Sequence, residues 1–488
     1  MNRRELITTT PALIATLGTA ISSQSPVDLV IRGGRAVVPE GIFRVDIAIQ
    51  GGKIVALGDS SAMPAARKVI DARDRYVLPG LIDSHVHFNT PFRGMKTRDD
   101  FYTGSIAAAF GGVTTYIDFA IQPKGRDLLS VIKDRRAEAD PQTVVDYSLH
   151  MLVTDPTPIA LEQLADVIAS GMPSVKVFMA FGREGLMIDD GAILEIMRIV
   201  QQNNGIIAVH TENNAIAERL SDEYERTGKT AAAYYPETRP RYVELEAIRR
   251  ALFYARLTGV RYYGFHLTIA EGVEEFRQAR SEGLPIFTET CTHYLVLTED
   301  VYRQPDGANY VCSPPLRTRA DVEALWRGIQ DGVISTVTAD HTAWDLAQKQ
   351  IGGGTYVGIP HGLPGIELRL PVLYTEGVVP GRISFPRLVD LLSTSLAKIW
   401  GFYPQKGSLA PGADADIVLF DPDAQWMVDP SHLHMPVDWS PYAGRTLRGR
   451  ITEVISAGEV VIEGRQFRGK RGRGRFIRRS LDGVRFTR

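Results

Sequence analysis

Short apolar runs, many of them β-branched, recur along the chain, and their setting changes twice. Between residues 27 and 77 they are brief and broken by turns: 28–31, 45–49 and 53–57, with Gly33-Gly34 and Gly51-Gly52 between them. Runs of this kind separated by paired glycines predict strands joined by hairpins. The same texture returns late, at residues 415–420, 453–455 and 460–462. Two β-rich pieces flanking a long middle predict one small β-sandwich domain built from both chain ends, over residues 27–79 and 404–465.

In the middle, residues 80–403, short apolar runs alternate with longer amphipathic stretches, which is the signature of repeated βα units. Eight strand candidates fall at residues 81–82, 114–119, 144–151, 175–179, 206–209, 262–267, 285–289 and 333–339. Eight such units over this length predict an α/β protein whose centre is a (β/α)8 TIM barrel, a fold of about 250 residues that grows by insertion.

The two extremities read differently. Residues 1–26 carry Arg3-Arg4, a mildly apolar run from Pro11 to Ile21 and then Ser and Gln. That segment is either a twin-arginine export signal, with Gly18-Thr19-Ala20 as a small-residue cleavage candidate, or a plain N-terminal extension. From Arg465 to Arg488 ten basic residues face one acid, Asp482, so residues 466–488 form a basic C-terminal tail. Its aromatic residues are sparse (Phe467, Phe476, Phe486), which argues against a nucleic-acid partner and for a solvated tail packing on a neighbouring subunit.

Composition narrows the function classes. Of 488 residues 44% are hydrophobic and 23% charged, which excludes wholesale disorder. The net charge of −2 is a cancellation, since the last 24 residues contribute +9 and everything before them −11. Two cysteines exclude a disulfide scaffold and four-cysteine zinc modules. No run approaches about 18 consecutive apolar residues, so no membrane partner is expected.

Candidate chemistry sits where a barrel places it, at the C-terminal ends of strands. His85-Val86-His87 follows strand one, Lys176 lies within strand four, His210 closes strand five, His266 falls in strand six and Asp340 follows strand eight. In an extended segment side-chain direction repeats every two residues, so an H-x-H pair turns both imidazoles to one side and can grip one metal. A lone histidine in a strand is more often a packed core residue than a ligand. Candidates on five strand ends of one barrel reverse that balance.

These residues carry a resemblance. Gly80-Leu81-Ile82-Asp83-Ser84-His85-Val86-His87 resembles the opening signature of the amidohydrolase superfamily. Further segments narrow it to the hydantoinase/dihydropyrimidinase branch of the cyclic amidohydrolases: Asp99-Asp100-Phe101-Tyr102-Thr103-Gly104, Gly111-Gly112-Val113-Thr114-Thr115, Ser174-Val175-Lys176-Val177-Phe178-Met179-Ala180 and Glu289-Thr290-Cys291. Val311-Cys312-Ser313-Pro314-Pro315-Leu316-Arg317, Pro364-Gly365-Ile366-Glu367 and Gly412-Ala413-Asp414-Ala415-Asp416 extend the likeness, which runs from Val27 to Arg479.

The resemblance implies a centre of two divalent metal ions, usually Zn2+. His85, His87 and Asp340 hold one, His210 and His266 the other, and Lys176, N6-carboxylated, bridges them. An ammonium has no lone pair to give a metal, whereas a carbamate is an anion with two oxygens. The implied reaction opens a hydantoin, dihydropyrimidine or related cyclic ureide or imide with a metal-bridging hydroxide, Asp340 moving the proton and His341 supporting it. Allantoinase or dihydroorotase-like activity, or a non-catalytic scaffold on the same fold, are the alternatives.

Around the substrate the chain departs from the family. Phe181 stands where a tyrosine hydroxyl usually serves the oxyanion, and Ile359-Pro360-His361-Gly362 replaces a segment with a substrate-facing asparagine, while Ser313 is retained. Losing one oxyanion donor costs about 2.7–4 kcal/mol. Either His361 compensates or the substrate differs from simple hydantoins and dihydrouracil, so Phe181, Ser313 and His361 are the candidate substrate contacts. The first loop is mixed: His87-Phe88-Asn89 resembles allantoinases and Pro91-Phe92-Arg93-Gly94 hydantoinases, and Asn89 stands where dihydroorotases carry an arginine. Arg93 or Arg183 is a candidate partner for an acidic substituent. Cys291 and Cys312 read as buried thiols, able to form a disulfide only in an exported chain. By analogy the expected partners are a small cyclic amide and further copies of the chain, as a homotetramer or homodimer. The family default is cytoplasmic, with the periplasm as the alternative if the N-terminal segment is a signal.

Overall fold

Eight parallel strands, taken in chain order, pair each with the next around a central axis in the computed structural model, which describes residues 25–482. The Arg3-Arg4 segment and residues 483–488 lie outside the described residues. The strands are Leu81–Asp83, Val113–Ile121, Asp146–Leu152, Ser174–Phe178, Ile206–His210, Arg261–Gly264, Ile286–Cys291 and Thr336–Thr338. The α/β barrel expected from the apolar pattern is therefore present. Strand boundaries shift by up to three residues: the third strand opens at Asp146 rather than residue 144, the sixth ends at Gly264, leaving His266 beyond it rather than within it, and the eighth opens at Thr336 rather than residue 333.

Strands eight and one do not form a ladder. The gap is bridged by the chain just beyond them, where His341 N donates to His85 O at 3.2 Å and His87 N to His341 O at 2.9 Å, while Ala339 N donates to the Asp83 carboxylate at 3.2 Å. The segments that close the barrel are thus the ones that carry His85, His87 and Asp340.

Inside, Ile117, Phe119, Leu152, Phe178, Ala208, Tyr263, Phe265 and Phe287 pack into one apolar cluster, as the inward positions of a filled barrel must. At the N-terminal end the same cluster takes in Leu396, Ile399 and Trp400 from the helix Ser395–Trp400, and Ile477 and Leu481 from the C-terminal segment. These side chains plug the barrel from below.

The terminal strands form two sheets. One has four strands, all N-terminal (Lys53–Gly58, Asp46–Gln50, Val27–Arg32, Ala66–Asp71). The other has seven and mixes both ends, with Ile417–Met427 antiparallel to Tyr76–Pro79. Leu29, Ile31, Ile47 and Ile49 of the first sheet meet Val77, Ile417, Leu419 and Ile455 of the second. Gly80 makes the step from this layer into the barrel. Its N donates to Asp416 O at 2.7 Å, and a Cβ there would stand 2.1 Å from Thr114 Oγ1, so a side chain has no room.

The basic C-terminal segment departs from expectation. As far as it is described, it packs on its own barrel. Ile477 N donates to Tyr147 O at 2.7 Å and Tyr147 N to Arg475 O at 2.9 Å. The Arg479 guanidinium, 3% exposed, enters the lower end of the barrel and donates to Leu149 O (2.6 Å), Ser174 Oγ (2.7 Å) and Ser148 Oγ (2.9 Å). The physical reason is the supply of acceptors at the strand starts, carbonyls and the Asp146 carboxylate, which a count of charges does not locate.

Lys406 ties barrel, sandwich and C-terminal segment together. Its buried Nζ lies 2.6 Å from Asp146, 2.7 Å from Asp416 and 2.9 Å from Asp414. Asp146 is also paired with Arg475 and Asp414 with Lys53, whereas among the described residues Lys406 is the only cation paired with Asp416. Lys406→Met strands a buried carboxylate and is expected to cost about 3–5 kcal/mol in denaturant unfolding. The deficit should shrink at acid pH as the stranded group takes up a proton. A loss under about 1 kcal/mol at neutral pH would contradict this account.

Candidate metal centre

At the open end of the barrel the extended run 85–87 is held by its two hydrogen bonds to His341, which places the His85 and His87 rings side by side with centroids 5.2 Å apart. His266 and Asp340 each follow a strand end and have positive φ, +36° and +44°, and Phe181 has +65°. Left-handed backbone at non-glycine residues costs on the order of 1–3 kcal/mol and persists where the surroundings enforce it. Here it accompanies side chains that line the barrel mouth.

All six expected ligands meet there. Asp340 Oδ1 lies 3.1 Å from His85 Nε2 and 3.3 Å from His87 Nε2. Lys176 Nζ is 3.3 Å from His85 Nε2, and the His210 and His266 rings stand 4.5 Å apart at 73°. The ligand atoms of His85, His87 and Asp340 lie within 4.8 Å of one another, a spacing that suits one cation.

A second layer of side chains decides which atom of each ligand faces inward. Glu289 Oε1 is 2.6 Å from His85 Nδ1 and its other oxygen accepts from Tyr263 OH at 2.8 Å, which leaves His85 Nε2 toward the centre. Glu212 Oε2 meets His210 Nε2 at 2.8 Å and Arg239 Nη1 at 3.0 Å, which turns His210 Nδ1 inward. Burial raises the Glu212 carboxyl, yet Arg239 and His210 bring it down to about 2. Burial likewise raises Asp340, and His85 and His87 hold it well below the usual carboxylate range. His341 faces away from the mouth: its Nε2 meets Asp99 at 2.9 Å and its Nδ1 accepts from Gly365 N at 3.0 Å, which fixes the loop beside Asp340.

Lys176 is 1% exposed, with its Nζ over the faces of Phe119 (4.3 Å), Phe265 (4.4 Å) and Phe178 (4.6 Å). Among the described residues it has no carboxylate ion pair. Burial brings its amine down to about 8, against the pull of Asp340 and Glu289. The donor set fits divalent metal: four imidazoles and a carboxylate converge, and the buried His266 Nδ1 has no hydrogen-bond partner. A positive ammonium among them does not fit, whereas a carboxylated amine does.

The remaining candidates divide. Phe181, Ser313 and His361 line the same cavity of about 100 Å³ as the ligands. Phe181 and His361 have ring centroids 5.9 Å apart, and Ser313 Oγ is 2.8 Å from His361 Nδ1. Phe92, Ile121 and Leu186 separate this cavity from a recess of about 710 Å³. Arg93 is spent at its rim on Glu184 (2.8 Å) and Ile359 O (2.9 Å), and Arg183 is paired outside with Asp222. Asn89 donates to Glu138. Cys291 and Cys312 are buried free thiols, raised above the ordinary range by burial.

Glu212, Glu289, Arg239 and the three phenylalanines around Lys176 had no assigned role in the sequence. Three left a trace: Glu212 follows His210 by two positions, and Glu289 and Phe178 stand in quoted motifs. Arg239 left none, because it arrives from a loop ahead of the helix Arg241–Thr258.

Comparison with known proteins places the chain in a family. The model of the amidohydrolase family matches residues 76–461. A D-hydantoinase of Geobacillus stearothermophilus is 39% identical over 458 residues, 93% of this chain and 97% of the relative. The crystal structure of dihydropyrimidinase from Brevibacillus agri NCHU1002 superposes with a TM-score of 0.90 at 39% identity, over 93% of this chain and 98% of that one. An L-hydantoinase (dihydropyrimidinase) from Arthrobacter aurescens follows with 0.87 at 31%, over 93% and 100%.

The carboxylates behind the histidines give a test. Partners of this kind typically carry 10–100-fold in metal affinity. Glu289→Gln and Glu212→Gln are each expected to release metal to a graded chelator about tenfold more readily than the parent, read by elemental analysis of the desalted protein. Unchanged retention in both would separate these carboxylates from metal binding.

Proposed function

The chain belongs to the amidohydrolase family and hydrolyses cyclic amides, and from that premise we propose that His85, His87, Lys176, His210, His266 and Asp340 hold two divalent metal ions for the reaction. The observation that carries this reading is the meeting, at one barrel mouth, of four imidazoles, a carboxylate and a buried lysine without an ionic partner. On the same reading the metals would be Zn2+ and an N6-carboxylated Lys176 would help to hold them, and the chain works in the cytoplasm as a homodimer or homotetramer.

When bound, such ions acidify a water and polarise the amide carbonyl. The chain's own residues do the rest. Asp340 takes a proton from the attacking water and returns it to the ring nitrogen as the carbon–nitrogen bond breaks, so that a cyclic amide leaves as an open-chain acid. Phe92, Phe181, Ile121 and Leu186 wall the site and limit bulk water. Ser313 and His361 contact the substrate, and Phe181 contributes shape without a hydroxyl. The 710 Å³ recess beyond Phe92 leaves room for a ring substituent.

Two experiments test this. Metal-loaded protein offered 5-substituted hydantoins, dihydropyrimidines, allantoin and cyclic imides should open at least one ring, and turnover of none would overturn the reading. Asp340→Asn is expected to lower turnover by about 10²–10⁴-fold, the usual worth of a positioned acid–base group. Full activity in that variant would remove Asp340 from proton transfer. The Lys176 carbamate would be read separately, as a 13C resonance after exchange with labelled bicarbonate that is missing in Lys176→Ala.

A further inference from the structure

Ser313 and His361, which line the cavity of the candidate ligands, belong to a chain of four polar groups drawn from three separate segments. Tyr235 OH lies 2.9 Å from Cys312 O and 2.7 Å from Ser313 Oγ, and Ser313 Oγ lies 2.8 Å from His361 Nδ1. Tyr235 and Cys312 are buried, at 2% and 1% exposure. The segments are clamped: Lys349 Nζ donates to Val311 O and Pro360 O, both at 2.9 Å, and Trp344 Nε1 donates to His361 O at 2.8 Å.

Three contacts need three protons, and each hydroxyl has one. The Cys312 carbonyl is buried and Tyr235 is its donor, so the phenol proton goes there. Tyr235 oxygen must then accept from Ser313, and Ser313 oxygen from His361 Nδ1–H. Were Ser313 to donate to His361 instead, either the Cys312 carbonyl would lose its donor or two oxygens 2.7 Å apart would share no proton. The relay thus runs one way, from imidazole to serine to tyrosine to carbonyl.

That direction leaves His361 Nε2 as a bare acceptor on a residue that lines the cavity. Burial keeps the ring neutral, aided by the cations of Arg93, Arg239 and Lys349 and by His210. The other hydroxyls of the cavity wall are spent locally, Thr90 on Phe88 O and Thr342 on Asp340 O. A cyclic amide entering here presents N–H donors as well as carbonyls.

We propose that His361 is a specificity-determining residue whose Nε2 accepts a hydrogen bond from a ring N–H of the substrate, and that Tyr235, acting through Ser313, is the positioning residue that holds His361 in the accepting tautomer. This rests on the reading of the chain as a cyclic amidohydrolase. The site then selects rings that keep this N–H free and rejects those alkylated at that nitrogen. Tyr235→Phe frees the Ser313 proton to turn toward Nδ1, which moves the imidazole proton to Nε2 and sets a donor against the substrate's donor.

The test uses metal-loaded parent protein, Tyr235→Phe and His361→Phe, with whichever cyclic amide of the panel is turned over and its mono-N-methyl derivatives. In the parent, methylation of one ring nitrogen should raise KM about tenfold or more, while in His361→Phe the same methylation should change KM by less than about threefold. Equal effects in the two proteins at every nitrogen overturn the proposal. A second measurement needs no substrate: in protein labelled with 15N-histidine, the resonances lost in His361→Phe should report Nδ1–H in the parent and Nε2–H in Tyr235→Phe. An Nε2–H tautomer in the parent, or no change in Tyr235→Phe, also overturns it. Absence of turnover by the parent indicts the broader reading, whereas turnover without coupling indicts this inference.

Discussion

A lysine amine sealed inside the barrel is the constraint to which the rest of the site answers. Lys176 is 1% exposed, faces three phenyl rings and touches an imidazole, with no carboxylate partner among the described residues. An isolated cation in such a place is costly, and burial lowers its proton affinity. A strand could bury a leucine there without penalty. That the chain keeps a lysine, and surrounds it with four histidines and Asp340, is what the proposed carboxylation of Lys176 would account for.

The surrounding structure supplies rigidity to that centre in three ways. Hydrogen bonds between His341 and the run 85–87 close the barrel through the very segments that carry His85, His87 and Asp340. Glu289 and Glu212 orient His85 and His210 from behind, each anchored in turn by Tyr263 or Arg239. The lower end is plugged by the helix Ser395–Trp400 and by Arg479, so access is confined to the mouth. The same economy serves the opposite wall, where His361 and Ser313 are braced by Tyr235, Trp344 and Lys349.

Much of this was legible in the sequence because it is local. Each barrel strand is a short apolar run buried on both faces, so all eight stand out against amphipathic helices, and ligands at strand ends follow from the fold. Where the local signal misled, the cause can be named. Phe265 and Leu267 prolong the apolar pattern past Gly264, which hid the turn at His266. The basic run after Arg465 looked solvated because its acceptors, Asp146 and the carbonyls of strand three, lie more than 300 positions away.

By itself, then, the sequence determined the barrel, the placing of six candidate ligands at its strand ends and the loss of a hydroxyl at Phe181, since residue type and spacing along a strand settle those. The tertiary structure decided which nitrogen of each histidine faces the centre, that Arg93 and Arg183 are already paired, and which way the protons run from His361 to Cys312. The last of these depends on partners 78 and 48 residues apart in the chain meeting at hydrogen-bond distance. Hydrogen-bond direction is set by counting donors and acceptors in a closed space, and only the folded chain defines that space.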